Sequence, residues 1–271
     1  MNMQARTASQ SLPTQPSLLR SINLDDARPV APQKAMNNTP SYQCRDCALH
    51  NFCLAQSGSE GGLDALNNIK KYHKPLHKGD HFYHRNQVFE SVYIVRSGAV
   101  KTYYIDEKGG EHITGFYFPG ELFGSDGIVE GRHIYNAVAL DTSAVCTIPY
   151  AALEKCFQSH PDLQRRVIEI LCSEIYGRQQ TLLTLHQSPA VERLATFLLG
   201  ISSRMEARGL SATEFVLPMV RRDMAAYLGL TVETLSRKFT LLQSDGLIGV
   251  RRRSICISDL DRLKAVSLNM Q

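Results

Sequence analysis

The sequence predicts an α+β chain made of an N-terminal antiparallel β-roll, one long helix and a C-terminal winged helix-turn-helix. Three observations predict it. Nine of the 18 glycines fall between Gly79 and Gly131, among short runs rich in Val, Ile, Tyr and Phe, the pattern of strands joined by tight turns. Apolar residues then recur at three- and four-residue steps from Pro161 to Leu185, which marks one amphipathic helix. Toward the end, two short helical patterns flank a glycine and a basic hairpin follows.

Taken in order, residues 1–40 are rich in Gln, Asn, Pro, Ser and Ala and poor in aromatics, and are expected to form a disordered tail. Residues 41–60 carry a cysteine-bearing segment. Residues 61–160 form the roll, with strands expected at Ser91–Arg96, Val100–Ile105, His112–Phe118, Ala137–Leu140 and Ala144–Ile148. Lys108-Gly109-Gly110 supplies a hairpin turn. Residues 161–187 form the long helix, whose stripe is Val167, Ile170, Leu171, Ile175, Leu182 and Leu185. Such a stripe needs a covering surface. A second copy of the chain is the simplest one, giving a homodimer with a coiled-coil seam; packing on the chain's own roll is the alternative. Arg178 interrupts the stripe and either pairs across the seam or extends outward. Ser188-Pro189 ends the helix, and residues 188–271 form the last domain. Its helices are expected at Ala190–Ser203, Arg222–Leu228 and Val232–Ser244, with a hairpin over Leu247–Ser258.

The chain has 271 residues, 43% of them hydrophobic, enough for two packed cores. No apolar run approaches the roughly 20 residues that cross a bilayer, and the start lacks a secretory pattern. A cytoplasmic protein without membrane association is the expectation. Seven cysteines in that compartment read as metal ligands or redox groups rather than disulfides. No convergent acid–base set is readable, so no enzyme is expected. Net charge is +4 and unevenly spread. Residues 188–271 hold 12 Lys and Arg against 8 Asp and Glu, while the preceding residues hold 18 of each. The basic surplus therefore sits where a phosphate-facing surface needs it.

Within the last domain, Gly229 suits a left-handed helix end and Thr231 can cap the helix that follows. That helix divides into two faces. Val232, Leu235, Phe239 and Leu242 are expected to bury; Glu233, Ser236, Arg237 and Thr240 face outward. Base reading in a DNA major groove needs this division: Glu233 can accept from a cytosine amino group, Arg237 can bind guanine bidentately, and Ser236 can touch either base type. Arg221 and Arg222 near the first helix, and Arg251, Arg252 and Arg253 at the hairpin turn, are candidate phosphate contacts. Double-stranded DNA is the expected partner.

Cys44, Cys47 and Cys53 stand in a C-x2-C-x5-C spacing. Three close thiolates suit a soft metal or a cluster, and zinc or a cubane each need a fourth ligand. Cys146 sits on an expected strand and Cys156 on an expected helix. Cys172 and Cys256 are expected to be small buried apolar groups. His50 and His73 are near enough in sequence to ligate zinc.

Several segments carry a resemblance. Leu228 to Arg237, the strand Ile113-Thr-Gly-Phe116, the run Ala139 to Pro149 and the three N-terminal cysteines together resemble the CRP/FNR superfamily of bacterial regulators, and within it the FNR branch, over residues 42–258. The resemblance implies an oxygen-labile 4Fe–4S cluster held by Cys44, Cys47, Cys53 and Cys146, and so implies the fourth ligand. It implies a cyclic-nucleotide-binding-like roll and a recognition pattern Glu-x-x-Ser-Arg, here Glu233, Ser236 and Arg237, which reads inverted repeats of TTGAT half-sites. It also implies RNA polymerase as a partner, with Lys108–Glu111 and Asp126–Gly131 as candidate contact surfaces. The cyclic-AMP branch is the same-fold alternative. Gly120-Glu121-Leu122 matches its pocket turn and Arg132 follows, but His133 and Ile134 replace the small residues that its phosphate site uses.

Overall fold

The computed structural model describes residues 43–57 and 59–268; the predicted tail lies outside them. Eight strands build the roll: β1 (Lys71–Tyr72), β2 (His81–Tyr83), β3 (Ser91–Ser97), β4 (Val100–Ile105), β5 (Glu111–Tyr117), β6 (Leu122–Phe123), β7 (Asn136–Ala139) and β8 (Ala144–Pro149). They pair antiparallel in two four-stranded sheets, ordered β1-β8-β3-β6 and β2-β7-β4-β5. Tyr83, Val95, Val100, Tyr117, Phe123, Ala137 and Val145 fill the space between them. Gly98, at the β3–β4 turn, has φ +79°, and a Cβ there would lie 2.5 Å from the Thr142 carbonyl oxygen. Only glycine meets both demands.

Where strands were expected from residue 61 onward, the chain first forms a helix, α1 (Glu60–Ile69). Gly61, Gly62, Asn67 and Asn68 weaken its intrinsic propensity. Two contacts compensate: the Ser59 side chain accepts a hydrogen bond from the Gly62 amide, and Leu63 and Leu66 are buried beneath the cysteine segment.

The helices α2 (Tyr150–Ser159) and α3 (Pro161–Gln187) follow. The structure divides the expected α3 stripe. Val167 is buried against its own roll, with Ile170 and Leu171 packed on the same cluster, so these three cover the chain itself. Leu185 is half-buried, whereas Ile175 and Leu182 are more than half exposed. The outward face runs through Ile168, Cys172, Ile175, Gln179, Leu182 and His186, in steps of four and three, flanked by Tyr176 and Leu183. That alternation is a heptad spacing. A helix 27 residues long thus carries two apolar faces that one-dimensional reading merges. Arg178 pairs within the chain, donating to Glu174 at 2.7 Å and to the Tyr117 hydroxyl at 2.9 Å.

The last domain contains α4 (Ala190–Ala207), β9 (Glu214–Val216), α5 (Arg221–Leu228), α6 (Val232–Ser244), β10 (Ile248–Arg251), β11 (Ser254–Ile257) and α7 (Leu260–Leu268), with a sheet ordered β10-β11-β9. Leu194, Leu198, Met224, Leu235, Phe239, Leu242 and Leu263 form its core, and Ala99, Ile113, Phe116, Phe118 and Leu140 of the roll belong to the same cluster. Beside that shared core, Lys101 of β4 donates to Glu111 at 2.5 Å and to Asp223 of α5 at 3.0 Å.

Candidate functional sites: a thiol-lined cavity and a recognition helix

Cys44, Cys47, Cys53 and Cys146 line one cavity, together with Leu49, Leu66, Lys70, Tyr72, Ile94, Arg96 and Ile148. Sheet register builds its floor. Cys146 lies opposite Tyr72 on β1 and opposite Ile94 on β3. Side chains two apart on a strand share a face, so Ile148 and Arg96 stand beside them. The N-terminal segment forms the roof in tight turns, in which the Cys47 amide donates to the Cys44 carbonyl and the His50 amide to the Cys47 carbonyl. α1 closes one side. Its Asn67 side-chain oxygen accepts from the Cys44 amide at 2.8 Å and from Lys70 Nζ at 2.6 Å, and Lys70 Nζ lies 3.1 Å from Cys44 Sγ.

Burial dominates the electrostatics. It pushes the Cys53 thiol up to about 11, against a weaker opposing hydrogen bond from the Ala55 amide, and pushes Cys146 up to about 12, against the nearby charges of Arg96 and Lys70. These thiols are not reactive thiolates in their own right; a soft cation is the agent that would deprotonate them. Among the described residues, no three His, Cys, Asp or Glu side chains converge closely enough to hold a single ion. His50 Nδ1 faces the Cys44 carbonyl, and neither His50 nor His73 lines the cavity. Among the described residues the lining offers four soft donors and neither carboxylate nor imidazole, a set that fits a multi-iron sulfur group better than one zinc ion. Cys172 and Cys256, expected to be buried, are exposed: one lies on the outward face of α3, the other on the open face of the terminal sheet.

The second site is the α5–α6 pair. Gly229 takes φ 61° and ψ 39° at the end of α5. Thr231 caps α6, accepting from the Thr234 amide at 3.2 Å, a contact worth about 1 kcal/mol. Leu235, Phe239 and Leu242 are buried. Val232, expected with them, is 38% exposed, because the first turn of α6 extends beyond the domain core. Glu233, Ser236 and Arg237 are exposed on one face, with Arg237 donating to Thr234 Oγ1 at 3.3 Å. The five candidate phosphate arginines separate. Arg222, Arg251 and Arg252 are exposed. Arg221 is half-buried, its guanidinium 3.2 Å from the Phe239 ring centroid. Arg253 donates to the carbonyls of Leu217 and Pro218. The last two serve the domain's own packing.

The elements of a cyclic-nucleotide pocket are otherwise engaged. Glu121 pairs with Arg208 at 2.5 Å and Arg204 at 3.6 Å. Arg132 is exposed and donates to the Asn86 carbonyl. His133 is buried, stacked 3.6 Å from Tyr83 and 3.2 Å from Asp126.

A roll with clustered thiols, joined by one long helix to a capped helix-turn-helix, defines a DNA-binding regulator with a sensory domain. Residues 73–160 match the cyclic nucleotide-binding domain family, and residues 192–266 the Crp-like helix-turn-helix domain family. The transcriptional activator protein Anr of Pseudomonas aeruginosa is 41% identical over 228 residues, covering 84% of this chain and 93% of the relative. The fumarate and nitrate reduction regulatory protein of Escherichia coli is 40% identical over 223 residues, covering 82% and 89%. The solved structure of FixK2 from Bradyrhizobium japonicum aligns with a TM-score of 0.66 at 30% identity, covering 73% of this chain and 97% of that one. The chain belongs to the CRP/FNR family of transcription regulators and is of its FNR type. Among the described residues no helix is long and apolar enough to cross a membrane.

Sequence reasoning missed Lys70, Tyr72 and Arg96. Cysteine spacing carries no signal for them; only the long-range register around Cys146 brings them to the thiols.

Proposed function

We propose that this regulator responds to oxygen through a 4Fe–4S cluster held by Cys44, Cys47, Cys53 and Cys146, and that the loaded form dimerises and binds inverted repeats of TTGAT half-sites to activate or repress genes of anaerobic metabolism in the cytoplasm. The carrying observation is that these four cysteines, distant in sequence, line one cavity. Cys44, Cys47 and Cys53 of the N-terminal segment and Cys146 of the roll would hold such a group between them, and it would supply oxygen-sensitive iron–sulfur chemistry there. The chain's own residues do the rest. Cys146, fixed between β1 and β3, presents one sulfur from a rigid sheet. α1 and Leu66 exclude water. The outward face of α3 through Ile168, Ile175 and Leu182 joins a second copy, and linkage makes operator affinity follow dimer formation. In each recognition helix Glu233, Ser236 and Arg237 meet base edges, while Arg222, Arg251 and Arg252 meet phosphates. RNA polymerase is the partner for activation, through Lys108–Glu111 and Asp126–Gly131.

Anaerobic reconstitution of the full chain with iron and sulfide tests the reading. Broad visible absorption that bleaches in air is expected, together with loss of both colour and operator binding in Cys146→Ala. Colourless, iron-free anoxic protein that still binds its operator tightly, or calorimetric binding of cAMP in place of iron uptake, overturns it. On DNA, Arg237→Ala is expected to cost about 1–3 kcal/mol on cognate sites alone, and Arg252→Ala to weaken all sequences and lower the salt slope by about 1. Equal loss on cognate and random DNA for Arg237→Ala contradicts its base-reading role.

A further inference from the structure

Two cations line the thiol cavity, and neither is a ligand. Lys70 follows the last residue of α1 and directs Nζ to Cys44 Sγ at 3.1 Å while donating to Asn67. Arg96 lies on β3, two residues along from Ile94, which faces Cys146. The Tyr72 ring fixes both: Lys70 Nζ lies 5.4 Å from its centroid and the Arg96 guanidinium carbon 4.8 Å. Among the described residues, the rest of the lining beyond the four cysteines is Leu49, Leu66, Ile94 and Ile148, all apolar. A cubane core carrying two positive charges and bound by four thiolates is left with two negative charges. Net charge of that size is costly to hold in an apolar enclosure unless it is matched.

We propose that Lys70 and Arg96 are the counter-charges of the cluster, matching its net charge and setting its reduction potential, with Tyr72 as their shared positioning residue. The proposal rests on the cluster reading above. A cation near an iron–sulfur group stabilises the more negative, reduced form; removing it therefore shifts the midpoint potential downward. Because neither residue bonds iron, the ligand set survives its replacement.

The test is anaerobic reconstitution of the full chain, Lys70→Met, Arg96→Met, the double variant, Lys70→Arg and Arg96→Lys, followed by iron and sulfide assays and a spectrophotometric redox titration. Each Met variant is expected to hold the same iron and sulfide per chain as the parent, with its midpoint potential shifted to more negative values. The double variant shifts further, and the charge-conserving variants return close to the parent. If a Met variant takes up no iron, restoration of uptake by the charge-conserving variant supports the charge assignment, and failure of that variant too overturns it. Loaded Met variants that titrate at the parent potential also overturn it and leave the cluster reading intact. A parent chain that stays colourless defeats the cluster reading itself.

Discussion

The roll makes two joints of opposite character. Where it meets the N-terminal segment, four cysteines, of which burial holds Cys53 and Cys146 protonated, stand with Lys70, Tyr72 and Arg96 among Leu49, Leu66, Ile94 and Ile148. Where it meets the DNA-binding domain, the central polar groups are charges already matched: Lys101 with Glu111 and Asp223, and Arg208 and Arg204 with Glu121. One joint is chemistry available for binding; the other is completed within the chain. The difference teaches that one joint is left open to a ligand while the other fixes the DNA-binding domain against the roll. At the second joint Lys101 is 10% and Asp223 6% exposed, so these partners have little freedom to re-pair.

Breaking the second joint has the largest expected effect. Lys101→Ala leaves the carboxylates of Glu111 and Asp223 facing each other, with Asp223 only 6% exposed, and is expected to cost about 3–5 kcal/mol in chemical denaturation. A loss no larger than that of a surface substitution ends the comparison. At the first joint, Leu66→Ala removes a side chain that is 2% exposed and is expected to cost about 2–4 kcal/mol. Because Lys101 and Asp223 are both buried, salt screens their pairing little, so neither loss is expected to change much between low and high salt. The smallest effect belongs to the rim of the first joint. Arg45 pairs with Glu60 at 3.6 Å and Asp64 at 3.3 Å, all three well exposed, so Arg45→Ala is expected to cost less than about 1 kcal/mol. A larger cost there would show that surface charge holds the cysteine segment in place.

Strands of six or seven residues were legible because β-branched and aromatic residues dominate them, as in β3 and β4. The two- and three-residue strands β1, β2, β6 and β9 offer too few positions for alternation to register. α1 was hidden by its glycines and asparagines, although Ser59 is a readable cap. α6 was legible from Thr231 to Leu242 except at Val232, since a helix's first turn need not reach the core. The cysteine triplet is local and stands out at once, and resemblance supplied Cys146. Lys70 and Arg96 were beyond reach, because their relation to the thiols exists only after β1 and β3 flank β8. Likewise Arg221 and Arg253 look like any surface arginine until Phe239 and two carbonyls stand beside them.

α3 spans about 40 Å at the helical rise. Its root is fixed by buried Leu163 and Val167 and by the Tyr117–Glu174–Arg178 tie, and its tip leads directly into Ser188-Pro189. Beyond that tie about nine residues, or about 14 Å, remain, so a tilt of about 5° there moves the far end by only about 1.2 Å. That is about a third of the axial step between neighbouring bases of a DNA strand, about 3.4 Å. With the DNA-binding domain also sharing the roll's core, the reading helix is carried by the roll as one body rather than swung from it on a long arm.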